Sequence, residues 1–232
     1  MLILGIDTAT PQVGCAIGGH EGVLAAFQSA KGKRHAETLV PAIQFLSQKT
    51  GIELSEIGAV AVDVGPGLFT GLRVGVATAK AMASALRVPM VGVVSLDLLA
   101  FEVRWTTRRI VSVVDARRGE VFYAFYRQVP GGVQRLSEMR CGTPEELCSE
   151  IQATGEEVLA VGDGALRYRT ALTDLIRVEV EDAGLAFPSP AALVQLAHAR
   201  ALREEFVKPW DLQPVYLRKP DAEINWQIGP GR

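Results

Sequence analysis

Short bursts of apolar residues, separated by glycine and proline, change period along the chain. Residues 2–6 are a continuous apolar run that ends at Asp7-Thr8-Ala9-Thr10-Pro11. Residues 13–17 and 23–30 are two more such segments, joined by Gly18-Gly19-His20-Glu21-Gly22, the pattern of strands linked by a hairpin turn. From residue 35 to 50 the period becomes helical, and Gly51 follows, a favourable residue just past a helix end. This helix has too many apolar residues for one stripe. Leu39, Ile43 and Leu46 lie along one side, Ala42 and Phe45 along another, so it needs two burial surfaces. Pro41 inside it removes a backbone donor and should bend its first turns. Residues 59–64 then predict a buried strand that breaks at Gly65-Pro66-Gly67. Thr70 is placed to cap a helix running to Leu86. On that helix Gly67, Gly71, Gly75 and Ala79 recur every fourth residue and leave a flat face. A strand, a glycine turn and a helix can hold an anion on the free N–H groups. Equally, the flat face can pack close to the chain's own sheet or to a partner. The Gly-Lys-Ser/Thr ending of a P-loop is missing.

Residues 90–94 predict another strand, Ser95 a cap for a helix over 96–105, and Thr106-Thr107-Arg108-Arg109 a polar joint. A second series then begins. Strands are expected over 109–115, 120–127 and 133–139, and Thr143-Pro144-Glu145-Glu146 has the cap, proline and acidic first turn of a helix start. A strand over 157–161, the turn Gly162-Asp163-Gly164, a helix over 165–172 and a short strand at Val178 and Val180 follow. Ser189-Pro190 starts a helix reaching about residue 205, and Pro209, Pro214, Pro220 and Pro230 mark an extended tail over the surface. The expected units are residues 1–106, 107–188, a long helix over 189–207 that packs back across the lobes, and a tail over 208–232.

Charge and composition narrow the function. The net charge is −2, with no long run of basic residues, which argues against a chain that grips nucleic acid by itself. A subunit of a nucleic-acid-modifying complex remains open. Cys15, Cys141 and Cys148 are odd in number and have no metal-binding spacing, and a reduced, cytoplasmic setting fits them. Neither a signal peptide nor a membrane span is expected, because no basic start leads into a long apolar segment. Asp7 ends the first strand, where a carboxylate can face a metal or a phosphate. With no second acid nearby in sequence, an Asx turn is the simpler role. His35 and Glu37 invite a metal or general-base role, but no second His follows three or four residues on, which favours a polar surface or capping group.

The two series repeat one plan, β-β-β-α-β-α, the duplicated α/β architecture of the actin-like ATPase (ASKHA) class, with a truncated second lobe. In that class nucleotide binds between the lobes. Three stretches, Leu4-Gly-Ile-Asp-Thr-Ala-Thr10, Arg34-His-Ala-Glu-Thr-Leu-Val-Pro41 and Gly65-Pro-Gly-Leu-Phe-Thr-Gly-Leu-Arg-Val-Gly75, resemble the TsaB (YeaZ) family over most of residues 1 to about 105. Pro214-Val-Tyr-Leu-Arg218 also fits.

The resemblance implies a non-catalytic, cytoplasmic subunit that binds and activates TsaD, a paralogue carrying the transferase site, in making threonylcarbamoyladenosine at position 37 of tRNAs that read codons beginning with A. TsaC supplies threonylcarbamoyl-adenylate, and TsaE joins as an ATP-binding third protein. tRNA is then met through the complex. ATP and metal are expected on the partner subunits, with no cofactor, metal or catalytic residue on this chain alone. Ser95 and Leu99 stand where TsaD carries two metal-binding histidines, and leucine cannot coordinate a cation. In the family the first two helices pack against the equivalent pair of TsaD as a four-helix bundle, and the same surface can form a homodimer. The interface candidates are His35, Glu37, Leu39, Ile43, Leu46, Gly71, Leu72, Gly75 and Ala79. The alternative is a small-molecule kinase or ATPase of the actin-like class, with Asp7 and Asp163-Gly164 near phosphates. A protease would require Ser95 and His35 to meet as nucleophile and base.

Overall fold

Alternation along the strands decides the layers. The computed structural model describes residues 1–30 and 35–218. The basic link 31–34, with Arg34 of the second family stretch, and the tail beyond 218 lie outside the described residues. In β1 (Leu2–Asp7), β2 (Val13–Gly19), β3 (Gly22–Ser29), β4 (Ile57–Asp63) and β5 (Met90–Val93), one set of side chains, including Leu4, Ile6, Cys15, Ile17, Val60 and Val62, meets α1 (His35–Thr50) and α2 (Phe69–Leu86). The opposite set, including Ile3, Ala16, Ala59, Ala61 and Val91, meets α3 (Ser95–Glu102) and the distant α7 (Pro190–Leu202). A sheet covered on both faces has continuous apolar strands, as the sequence shows.

The first sheet runs β3-β2-β1-β4-β5, with β1 antiparallel to β2 and parallel to β4. A second sheet is built from β6 (Arg109–Arg117), β7 (Glu120–Val129), β8 (Gly132–Arg135), β10 (Val158–Val161) and β11 (Val178–Val180), with the short β9 (Arg140–Gly142) also paired to β7. Its order, β8-β7-β6-β10-β11, repeats the first, with the same parallel and antiparallel pairings. The duplicated unit expected from sequence is therefore present, and the fold is the actin-like α/β architecture. The helices of the second repeat, α4 (Pro144–Thr154), α5 (Asp163–Arg167) and α6 (Arg169–Thr173), are shorter than α1 and α2. They cover the outer face of the second sheet through Leu147, Ile151, Ala165 and Leu172. Between the sheets, α3 is buried on both sides: Leu98 and Phe101 face the first sheet, Leu96, Leu99 and Ala100 the second. The helix expected over 189–207 ends at Leu202 as α7 and lies on the first sheet, where Pro190 sits 3.1 Å from the position of a Cβ on Gly14.

Some boundaries differ from the sequence pattern, in three cases where a polar group finds a partner elsewhere along the chain. Thr70 does not cap α2. Leu68 is the N-cap, and its N–H donates to the Ala9 carbonyl at 2.7 Å. Ser95 lies inside α3 and donates to Asp63. The strand expected over 133–139 ends at Arg135 as β8, where the Phe125 N–H goes to the Ser137 hydroxyl, and the separate short strand β9 follows. The helix over 165–172 divides at Tyr168 into α5 and α6. By contrast, Thr143 forms the full capping box with Glu146 that its sequence predicts.

Candidate functional site

The paired helices α1 and α2 show which of their sides the protein uses itself. On α1, His35, Leu39, Ala42, Ile43 and Leu46 are buried against the sheet. On α2, Gly71, Leu72, Gly75, Val76, Ala79 and Ala83 are buried. Of the residues expected at a partner interface, His35, Leu39, Ile43, Leu46, Gly71, Leu72, Gly75 and Ala79 are thus core residues, and Glu37 alone is exposed. α1 is apolar on two sides, and its richer aliphatic stripe, Leu39, Ile43 and Leu46, faces inward. The flat glycine face of α2 serves the same core: a Cβ on Gly67 or Gly71 would stand 2.1 Å from the carbonyl oxygen of Ala9 or Thr8. His35 is neither a surface group nor a ligand, since its Nε2 bonds to the Thr10 carbonyl at 2.9 Å and ties α1 to the turn after β1.

The outer side of α1 is what remains. Val40 and Phe45 are 49% and 50% exposed, and Pro41 and Gln44 lie on the same face. Beside it, the exposed face of α2 carries Arg73, Ala77, Ala81 and Ala85, so a second helix could approach closely. Ala42, grouped with Phe45 in sequence, belongs to the core.

At the ends of β1 and β4 lies a buried carboxyl pair. Asp7 makes the expected Asx turn, its Oδ1 accepting from the Ala9 N–H at 2.9 Å. Yet a second acid is beside it. Parallel pairing of β1 with β4 brings Asp63 alongside, and both are almost fully buried. Asp63 Oδ1 accepts from the Gly65 N–H and the Ser95 hydroxyl. Neither Oδ2 has a hydrogen-bond partner, and one proton shared between the two carboxyls would satisfy both. Burial, then the neighbouring charge, holds Asp7 well above the usual carboxylate range, and burial pushes Asp63 up to about 7. A pair so enclosed is structural, and among the described residues no cluster of three or more His, Cys, Asp or Glu could hold a metal.

A pH dependence follows. Between the unfolded carboxylate value of about 4 and the folded value near 7, the native state holds more protons than the unfolded one. This contribution to stability is full below about pH 4 and is lost as pH rises through 7. Glu102, pushed up to about 7 by burial, and Asp163, pushed to about 6, act in the same direction. Asp7→Asn keeps the bond from Ala9 and lets its amide donate to Asp63. Thermal melts at pH 5 and pH 8 should show this variant more stable than the parent at pH 8, by about 2–4 °C per kcal/mol recovered, with a flatter pH profile. An unchanged profile would refute the shared proton.

The second repeat reproduces the turn: Asp115 Oδ1 accepts from the Arg117 N–H at 2.9 Å, as Asp7 does from Ala9. The cleft between these turns is crossed by the chain itself. Val207 pairs with Met90 at the edge of β5, Leu212 is buried, and the Val215 N–H donates to the Val64 carbonyl at 2.7 Å. Tyr216 packs on Phe69, Leu217 joins the core between the sheets, and Arg218 reaches Glu120 at 2.6 Å. The expected surface tail is, over 208–218, a strap joined to both lobes. The anion-binding alternative for α2 meets a similar obstacle, since the Ala9 carbonyl already takes the Leu68 N–H. Ser95 and His35, the protease pair, bond to different partners, Asp63 and Thr10.

Residues 29–226 match the family model described as TsaD: tRNA N6-adenosine threonylcarbamoyltransferase. The "tRNA threonylcarbamoyladenosine biosynthesis protein TsaB" of Escherichia coli is 29% identical, over all of both chains. The crystal structure of YeaZ from Pseudomonas aeruginosa superposes with a TM-score of 0.79 at 26% identity, covering 93% of this chain and 99% of that one. The chain belongs to the TsaB (YeaZ) family. An uncharacterized Mycobacterium leprae protein is 36% identical over 96% of this chain, which spans 56% of that relative's length. Ser95 donates to Asp63, and Leu99 is buried between the sheets.

What sequence inspection missed is Asp63 and the outer face of α1. Asp63 ends an apolar strand, as Asp7 does, which was a signal for their pairing. No helix among the described residues is long and apolar enough to cross a membrane.

Proposed function

We propose that this chain is a subunit of the apparatus that makes threonylcarbamoyladenosine in tRNA, and that it docks TsaD through the outer faces of α1 and α2. The observation that carries this is the half-exposed Val40 and Phe45 beside the alanine face of α2, apolar surface left over after the chain has built its own core. A face of this kind suits a helix pair of a partner, and about 800 Å² per side is ordinary for a stable complex. The same face admits a second copy of the chain when TsaD is absent. In this proposal the chain carries no transferase chemistry. The carboxyls described at the strand ends are buried as a pair or braced by arginine, and the strap over 208–218 is joined to both lobes. ATP and metal belong to TsaD and TsaE, which complete the assembly in the cytoplasm, where tRNA is modified.

Reconstitution tests it. Purified TsaC, TsaD and TsaE with tRNA, ATP, threonine and bicarbonate should form the modified nucleoside, read by mass spectrometry, only when this protein is added. Calorimetry with Mg-ATP on the lone chain should show no tight binding. Product at full rate without the chain, or ATP turnover by the chain alone, would sink the proposal.

A further inference from the structure

Although the sequence has no basic run, the fold collects arginines from four separate places onto one band across the seam of the lobes. The Arg73 guanidinium lies over the Phe69 ring, 3.8 Å from its centroid, and that ring is 5.3 Å from Tyr216. Two residues on, Arg218 pairs with Glu120, which stands opposite Arg117 in the β6–β7 register. Arg117 and Arg167 then converge on one oxygen, Asp115 Oδ2, at 2.9 and 3.1 Å. Asp115 is buried and can balance one of them, while both guanidinium side chains stay about half exposed, at 47% and 51%.

The hairpin turn itself is informative. Arg117 and Arg118 adopt φ values of 65° and 57°, a conformation that glycine or asparagine enters more easily. The turn places both side chains at the surface, with the Arg117 guanidinium paired to Asp115. Guanidinium forks match phosphate oxygens, and a half-exposed tyrosine backed by a second ring is a platform on which an unpaired base can stack.

We propose that this band binds an unpaired RNA segment, with Arg117, Arg118 and Arg167 on the phosphates and Tyr216 beneath a base. It deepens the proposed function, which identifies the RNA as the tRNA being modified; the binding itself does not require TsaD.

Fluorescence anisotropy with a labelled anticodon stem–loop and the purified full chain tests it. Binding at 50 mM salt should weaken steeply by 200 mM, with each phosphate contact contributing about 0.7 to the logarithmic salt slope. Arg117→Gln combined with Arg167→Gln should lower affinity at least tenfold. Because those two brace Asp115, Arg118→Gly supplies the structural control. It removes a guanidinium from the same turn and should weaken RNA binding several-fold, with the melting temperature read alongside to separate folding from binding. Tyr216→Ala should weaken binding to the loop while leaving a blunt RNA duplex unaffected, and Arg177→Gln, outside the band, should change nothing. No binding by the parent at 50 mM salt, or parental affinity in the double variant and in Arg118→Gly, would overturn the proposal. Capture of TsaD by the same proteins reports on the docking proposal alone.

Discussion

Leu39→Asp is expected to unfold the protein. Leu39 is 1% exposed and packs among Leu4, Val60 and the facing helix residues of the first sheet. Truncating such a leucine to alanine costs about 2–5 kcal/mol. A carboxylate adds the cost of a buried polar group without a partner, or of the proton needed to neutralise it. The sum approaches the whole stability of an ordinary domain, about 5–15 kcal/mol. Gly75→Leu should fail similarly, because a Cβ there would already stand 2.3 Å from Thr8 Oγ1, and the Thr8 hydroxyl is engaged with the Gly71 carbonyl at 2.7 Å. Soluble yield and urea melts by circular dichroism decide the matter. A cooperative melt near the parental midpoint for Leu39→Asp would mean that this stripe is not core.

Most elements were legible because the strands and helices carry strong periodicities and the glycine turns separate them. The duplicated plan was legible for the same reason. The orientation of α1 was not. With apolar residues on two sides, period alone names two faces and does not rank them. Burial went to the side with Leu39, Ile43 and Leu46, the bulkier aliphatic set, together with Ala42. Nor could period locate the partner of Asp7, since parallel neighbours are set by topology: Asp63 comes alongside only because β1 lies next to β4. The arginine band was hidden for the same reason, its members being scattered from Arg73 to Arg218. Local propensity also failed at the start of α2. Thr70 is a good cap in isolation, but the Ala9 carbonyl, delivered by close packing of the glycine face, reaches the Leu68 N–H two residues earlier.

Substitutions on the opposite side of the same helices should do the reverse, leaving the fold and removing the partner. Phe45 is half exposed, with Lys49 Nζ 5.6 Å from its ring centroid, so Phe45→Glu exchanges a solvent-facing ring for a charge that can pair with that lysine at one helical turn. The expected change in stability is within about 1 kcal/mol. Ala77→Arg on the exposed face of α2 should be equally mild in the lone chain. In a docked helix pair both become severe. An aromatic anchor at the centre of an interface is worth about 2 kcal/mol or more on truncation alone, and a buried unpaired charge adds several-fold to that loss. The double variant should therefore bind TsaD at least 100-fold more weakly, measured by surface plasmon resonance, with a melting curve close to that of the parent. Parental affinity in this variant would place the docking surface elsewhere, even if reconstitution showed that the chain is required. Loss of affinity accompanied by an intact melt would separate partner recognition from folding on two sides of a single helix.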